Sequence, residues 1–393
     1  MVTVSPRQLA WLEEEIAGWR SDGLVTDEAA TAIRSRYVAG RRLSLITVVV
    51  SLGAAFVSVG VIWLVAANLD QLSPLVRFAL VVMLWLCLVI AAELLAERHT
   101  GEQASPLVGG ARLLGTAAFG AVIFQAAQSL QVPAYSASLI GWWALGALLY
   151  AYAVDGVAPL ILGVLTAAVW FAWQSAVAAD GVRGFALALL LGAVVATATA
   201  VGHAARWRAH DATPWRLAGS TLVLVGLFIA ALPWFETRDH PWTTTTIVVA
   251  VLAGLAAPLA GLVGDRLDRA EVGAIVAAAA AGIGLLTWVD SSSGDELSTP
   301  DALRAVVAVL VYLVVAGALA VIGTRRDLPA LTGLATAALI VFTTVQSFAV
   351  FARIITGATL FLIVGAVLLA SGYGFDRARR RLVAELAQGG DQS

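Results

Sequence analysis

The stretch Trp63-Leu64-Val65-Ala66-Ala67-Asn68-Leu69-Asp70-Gln71-Leu72-Ser73-Pro74-Leu75-Val76-Arg77 is a polar break between two apolar runs, 44–67 and 74–95. Each run offers at least 18 almost uncharged residues, enough to cross a hydrocarbon core about 30 Å thick as a helix. The break itself cannot lie in lipid, where each unpaired backbone group costs several kcal/mol. The stretch therefore predicts a transmembrane hairpin, and the same alternation recurs to the end of the chain.

Composition agrees. The 393 residues are 60% hydrophobic and 13% charged, with a mean hydropathy of +0.89, whereas soluble domains carry about 25% charged residues. No basic domain interleaved with aromatics is present, so nucleic acid is not an expected partner. All 24 basic residues are arginine, which excludes a phosphate-loop lysine, a Schiff-base lysine and a lysine general base. Cys87 is the sole cysteine, so no internal disulfide or cysteine zinc site forms. The four histidines, His99, His203, His210 and His240, fall in expected loops without metal-ligand spacing. The first apolar run begins after 43 residues, too late for a cleaved signal peptide, and reads as a retained anchor.

The pattern predicts an all-α bundle of twelve spans, near 44–67, 74–95, 107–130, 136–154, 157–179, 183–204, 214–235, 243–263, 270–289, 301–323, 328–346 and 350–374. Residues 328–374 would reach about 70 Å as one helix, twice a bilayer, so a bend is expected at Gln346-Ser347 or Ala352-Arg353. Arg77 and Arg112 fall within spans. Only Arg183, Arg238, Arg304 and Arg353 fall in loops on the far side, leaving the other 18 of 24 arginines with the N-terminus. The positive-inside rule then puts both termini in the cytosol. Trp63, Trp170, Trp173, Trp234, Trp242 and Trp288 fall at outer ends and Trp207 and Trp215 at inner ends, as an aromatic belt requires. Trp85, Trp142 and Trp143 sit deeper, where they would pack between helices.

Four regions follow: a cytosolic head (1–43), two six-helix halves (44–204 and 205–375) and a basic tail (376–393). In the head, Leu9, Leu12, Ile16 and Trp19 mark an amphipathic helix that Asp22-Gly23 ends. Thr26 then caps a second helix with Asp27 and Glu28 in its first turn. This soluble hairpin is either a juxtamembrane support or, through residues 6–40, a docking module for a protein partner.

Charged groups inside a span cost about 2.5–3.5 kcal/mol each at its centre. Glu93 and Arg112 lie at similar depth on antiparallel neighbours and are the expected intramembrane ion pair; Glu93 is the one buried carboxylate expected. Gln125, Gln128 and Gln131 form a polar stripe at the outer end of the third span. Gln125 and Gln128, with Asn68, Asp70 and Arg77, make a polar cluster, either hydrogen-bonded glue between helices or an outward-facing cavity. Ala253, Ala257 and Gly261 supply close packing around Pro258. The acidic loop 290–301 reads as a solvated linker. No catalytic set, cofactor motif or metal cluster emerges.

Two resemblances accompany these residues. A head carrying Trp19-Arg20-Ser21-Asp22-Gly23-Leu24-Val25 precedes Ala66-Ala67-Asn68, Pro74, Arg77, Phe119-Gly120, Gln125 and Trp142-Trp143. This layout, over about residues 7–180, resembles a bacterial family of multi-pass membrane proteins classed as a domain of unknown function; Leu69 stands where that pattern has an aromatic. The resemblance implies location and topology, and no catalytic residues. Gly261-Leu262-Val263-Gly264-Asp265-Arg266-Leu267-Asp268-Arg269 is similar to a cytoplasmic loop motif of the major facilitator superfamily, with Asp268 in place of a glycine. The expected function is that of a non-enzymatic, membrane-embedded partner or assembly factor. The alternative is a secondary transporter or lipid-handling permease built around the outer polar cluster.

Overall fold

The computed structural model describes residues 2–4, 6–39, 49–50, 52–53, 56–57, 59–60, 63, 73–98, 106–131, 133, 136–206, 211–232, 242–288 and 299–346. The chain divides into two contact units, one formed by 1–73 with 80–118, the other by 74–79 with 119–393.

In the first unit, α1 (Pro6–Ser21) and α2 (Asp27–Ser35) are flanked by short strands β1 (Val2–Val4) and β2 (Tyr37–Ala39). Helix α1 stops as its sequence requires. Gly23 takes φ +74°, the Leu24 N–H donates to the Trp19 carbonyl and the Gly23 N–H to that of Arg20, the hydrogen-bond pair of a glycine-terminated helix end. Thr26 Oγ1 accepts the Ala29 N–H at 3.2 Å and opens α2. Arg34–Glu13, at 2.6 Å, and Arg20–Asp27 pair the helices across the turn. The head departs from a pure helical hairpin in one respect: β1 and β2 pair in parallel, Val2 beside Tyr37 and Val4 beside Ala39. The ladder joins the two ends of the head and supplies contacts that two short helices, which bury Ile16 and Ala30, cannot provide alone.

Helices α3 (Pro74–Arg98) and α4 (Pro106–Ser129) follow. Gly115 meets Val89, and Arg112 meets Glu93; partners in opposite order make the pair antiparallel.

In the second unit the helices are α5 (Ala137–Val154), α6 (Val157–Ala178), α7 (Val182–Arg206), α8 (Ala212–Ala230), α9 (Thr244–Val263), α10 (Arg266–Thr287), α11 (Thr299–Arg325) and α12 (Pro329–Gln346). Helix α7 is the axis. Its spanning window is 83% buried, as expected of a helix apolar all round, and α6, α8, α9 and α10 pack on it. Small residues let the backbones close. A Cβ on Gly226 or Gly282 would come within 2.9 or 2.6 Å of the Leu190 side chain, so that one leucine fills the notch of two neighbouring helices. Ala253 joins this core and Ala260 packs with Ala198 and Val201, while Gly261 meets nothing. Tyr312 and Phe342 stack at 3.7 Å between α11 and α12, with Phe228 edge-on.

Ten helices among the described residues are long and apolar enough to cross a membrane, and they coincide with the second to eleventh expected spans. The first and twelfth, 44–67 and 350–374, lie outside the described residues apart from isolated helical positions between 49 and 63. Helix α12 is described as far as Gln346, so the bend expected at Gln346-Ser347 or Ala352-Arg353 lies outside the described residues. Trp142 is 60% exposed rather than packed between helices, whereas Trp143 covers Gly120 and meets Phe124 edge-on.

Candidate functional site

The densest polar chemistry of the second unit lies where α8 and α10 begin. Asp265 caps α10: its Oδ1 accepts the Asp268 N–H at 2.6 Å, and Asp268 Oδ2 accepts the Asp265 N–H at 3.2 Å. This reciprocal box satisfies two of the helix's orphan donors. The Asp268 N–H holds the Asp265 carboxyl below the usual carboxylate range. Burial pushes the other way, and Arg326, the Leu267 N–H and Arg216 each lower it by smaller amounts.

Asp268 and Glu271, three residues apart, share a face of α10. Arg216 of α8 donates through Nη2 to Asp268 Oδ1 (2.6 Å) and through Nε to Glu271 Oε2 (2.9 Å). Arg326, in the turn between α11 and α12, reaches the same two oxygens at 2.6 and 2.9 Å. Two guanidiniums and two carboxylates thus close a ring of cancelling formal charge. Its side chains are 5% (Arg216), 6% (Asp268), 1% (Glu271) and 12% (Arg326) exposed. Asp327, which follows Arg326, adopts φ +54°, a conformation aspartate tolerates better than most residues, and Pro329 starts α12.

Beside the ring runs an aromatic relay. His203 of α7 puts Nδ1 2.7 Å from the Thr199 carbonyl and Nε2 2.9 Å from the Tyr152 hydroxyl of α5, whose oxygen accepts Trp215 Nε1–H at 3.1 Å. The His203 ring lies near-parallel to Tyr152 and Trp215, with centroids 5.5 and 6.3 Å away. Asp211, 5% exposed, precedes α8 without capping it through its side chain.

At the opposite helix ends the polar groups face carbonyls. Arg304 donates to Ala230 (3.0 Å), Leu232 (3.3 Å) and Leu285 (3.5 Å), and Arg183 to Leu286. Gln346 donates to Ala231 at 3.3 Å. These side chains satisfy the orphan carbonyls where α8 and α10 end, and the two cations oppose the negative end of each helix dipole.

The sequence reading placed several of these residues differently. Arg304 and Arg183 lie in helices rather than in loops, because they reach helix-end carbonyls. Arg216 is buried in the ring, and the buried carboxylates among the described residues are Asp211, Asp268 and Glu271, whereas the expected one, Glu93, has a side chain 35% exposed. The segment that resembles a facilitator loop motif is the cap of α10. Gln131 lies beyond the end of α4 with φ +55°, so it leaves the expected stripe. Gln125 is buried and Gln128 exposed, with Arg77 partly buried on α3; Asn68 and Asp70 lie outside the described residues. Glu93 and Arg112 do meet: Arg112 Nε donates to Oε1 at 3.0 Å and Nη2 to Oε2 at 2.6 Å, the fork geometry of a bidentate pair. Among the described residues no three His, Cys, Asp or Glu side chains gather as a metal site would need.

Among the described residues, ten helices long and apolar enough to cross a membrane and an alanine- and glycine-packed interior mark a multi-spanning helical membrane protein. Residues 17–159 match the model of a family described as predicted membrane protein (DUF2157), in keeping with the resemblance seen over about 7–180. No curated protein and no solved structure matches the chain.

Proposed function

We propose that this chain is a bacterial plasma-membrane protein with both termini in the cytosol, acting as a non-enzymatic, membrane-embedded partner or assembly factor that engages a protein through residues 6–40. The packing at Leu190 carries the reading. That side chain fills the contacts of α7 with Gly226 of α8 and Gly282 of α10, where a carrier needs a polar passage. Orientation is supported by the arginines themselves. Arg266, Arg269 and Arg325 stay exposed at ends assigned to the cytosol, while Arg183 and Arg304, at the other ends, are held by backbone carbonyls.

Affinity capture from detergent extracts, with the full chain and with a chain lacking residues 1–40, tests the docking role. Partners lost with the head support it; an unchanged partner set removes it. Orientation is tested with Arg208→Cys and Arg379→Cys in a Cys87→Ser background, since labelling of either from outside the cell reverses the threading. A second reading, a secondary transporter or lipid-handling permease, draws on the buried ring, because ionisable groups within membrane bundles often mark ion pathways. Its test is uptake by proteoliposomes that Glu271→Gln abolishes.

A further inference from the structure

The parallel ladder of the head lacks a partner. Strand β1 pairs with β2 in one register, and no third strand joins them among the described residues. Parallel pairs are slightly weaker per residue than antiparallel ones, and parallel sheets are normally covered on both faces. Two strands of three residues each do not make an independently stable sheet. The strands are also unequal. β2 packs on α1 and on α2, whereas the chief neighbour of β1 is β2 itself. The edge of β1 turned away from β2 therefore presents backbone N–H and C=O groups that no described residue takes up, which is a template for a further strand.

The sequence selects the occupant. β1 reads Val2-Thr3-Val4, the same from either end, and all three are β-branched residues that favour strands. Its nearest charged side chain is that of Arg7. β2 has Arg36 directly before it and Arg41-Arg42 shortly after, charges of the kind that hold a strand edge apart from its copies.

We infer that β1 is an interface with a second copy of this chain, the two β1 strands pairing antiparallel about a two-fold axis at Thr3. Thr3 then lies opposite Thr3 of the second copy and Val2 opposite Val4, the register that pairs all three residues. The contact is isologous, and the two ladders become one four-stranded sheet. The membrane supplies what three residues lack. Copies inserted in one bilayer carry their heads on the same side, which raises the effective concentration of one strand at the other. β1 precedes residues 6–40, so this contact is separate from the docking role proposed for them.

The test uses the full chain in isolated membranes, with Cys87→Ser so that each new cysteine is alone. An antiparallel pair sets Thr3 and its copy about 4.5–5.5 Å apart at Cα, within the range of about 4.4–6.8 Å that a disulfide spans. Val2 and Val2 of the second copy stand about 8 Å apart, beyond that range. Mild oxidation should therefore link Thr3→Cys into a dimer and leave Val2→Cys and Val4→Cys each monomeric. Differently tagged and co-expressed, those last two should link to one another. A monomeric Thr3→Cys, or a Val2→Cys that links to itself as readily, overturns the proposal. A second readout starts from the unsubstituted chain: two differently tagged wild-type copies, extracted with their surrounding lipid, should be captured together, and chains lacking residues 2–4 should lose that capture. Wild-type copies that are never captured together, or capture that survives the deletion, overturn it equally.

Discussion

Glu271→Gln is the sharpest perturbation of the buried ring. Glutamine keeps the volume and one acceptor oxygen but removes a negative charge that faces two guanidiniums, each at 2.9 Å. At an effective dielectric of about 20, one charge pair at 4 Å is worth about 4 kcal/mol gross, so two are lost. Relief of the carboxylate's own desolvation offsets part of this, and breaking a buried pair costs about 3–5 kcal/mol net. Arg326→Gln alone leaves the opposite excess charge and costs a similar amount. The double variant restores neutrality with Arg216 on Asp268, and its loss falls well short of the two single losses added together. The assay is unfolding of the four proteins in one detergent, followed by tryptophan fluorescence and by retention of the monodisperse peak. A Glu271→Gln protein within about 1 kcal/mol of wild type, or a double variant equal to the sum of the singles, refutes the view that the ring acts as one electrostatic unit.

Gly219→Ala places a Cβ 2.5 Å from Thr197 Oγ1 and 3.1 Å from the Ala193 carbonyl, which should cost about 1–3 kcal/mol by overpacking. Gly254→Ala, where a Cβ meets nothing, should be neutral or slightly stabilising in the same melt. Asp265→Ala removes the α10 cap and should cost about 1 kcal/mol. Because the folded Asp265 carboxyl sits below its unfolded value of about 3.9, the wild-type contribution is complete above that pH. It is lost as pH falls through the depressed folded value, and acid titrations of stability should lack this component in the variant. Glu93→Arg and Arg112→Glu should each destabilise by about 1–2 kcal/mol, moderated by the partial exposure of the pair. The exchange of both should recover most of the loss, and failure to do so would show that the contact contributes little.

The spans were legible because lipid imposes one rule on every residue in contact with it. Ten apolar runs became ten helices with ends shifted by only a few residues. The Glu93–Arg112 contact was legible for a related reason: a charge within a span needs a partner, and depth alone narrows the choice. Helix-end charges gave no such signal. Arg216 and Arg326 meet Asp268 from 52 and 58 residues away, and a charge one turn inside a helix looks like a loop charge in the sequence. The signal that was available was local. Asp265 and Asp268 at capping-box spacing open an apolar run, and Glu271 lies one turn further on the same face. That pattern marks a helix start with two inward carboxylates, not a loop. Arg183 and Arg304 left no trace at all, because their partners are backbone carbonyls, which every residue carries.

The distribution of these contacts constrains any movement of the second unit. Interhelical polar bonds gather at the two ends of α8, at Trp215 and Arg216 on one side and at Ala230, Ala231 and Leu232 on the other. Between them α8 meets α7 through small residues such as Gly219 and Gly226, whose dispersion contacts are lost gradually on sliding and are short-ranged. The adjacent side chains of Trp215 and Arg216 point about 100° apart around the helix and hold different neighbours. A rotation of α8 therefore strains both ties at its first turn, and a translation strains the caps at its last.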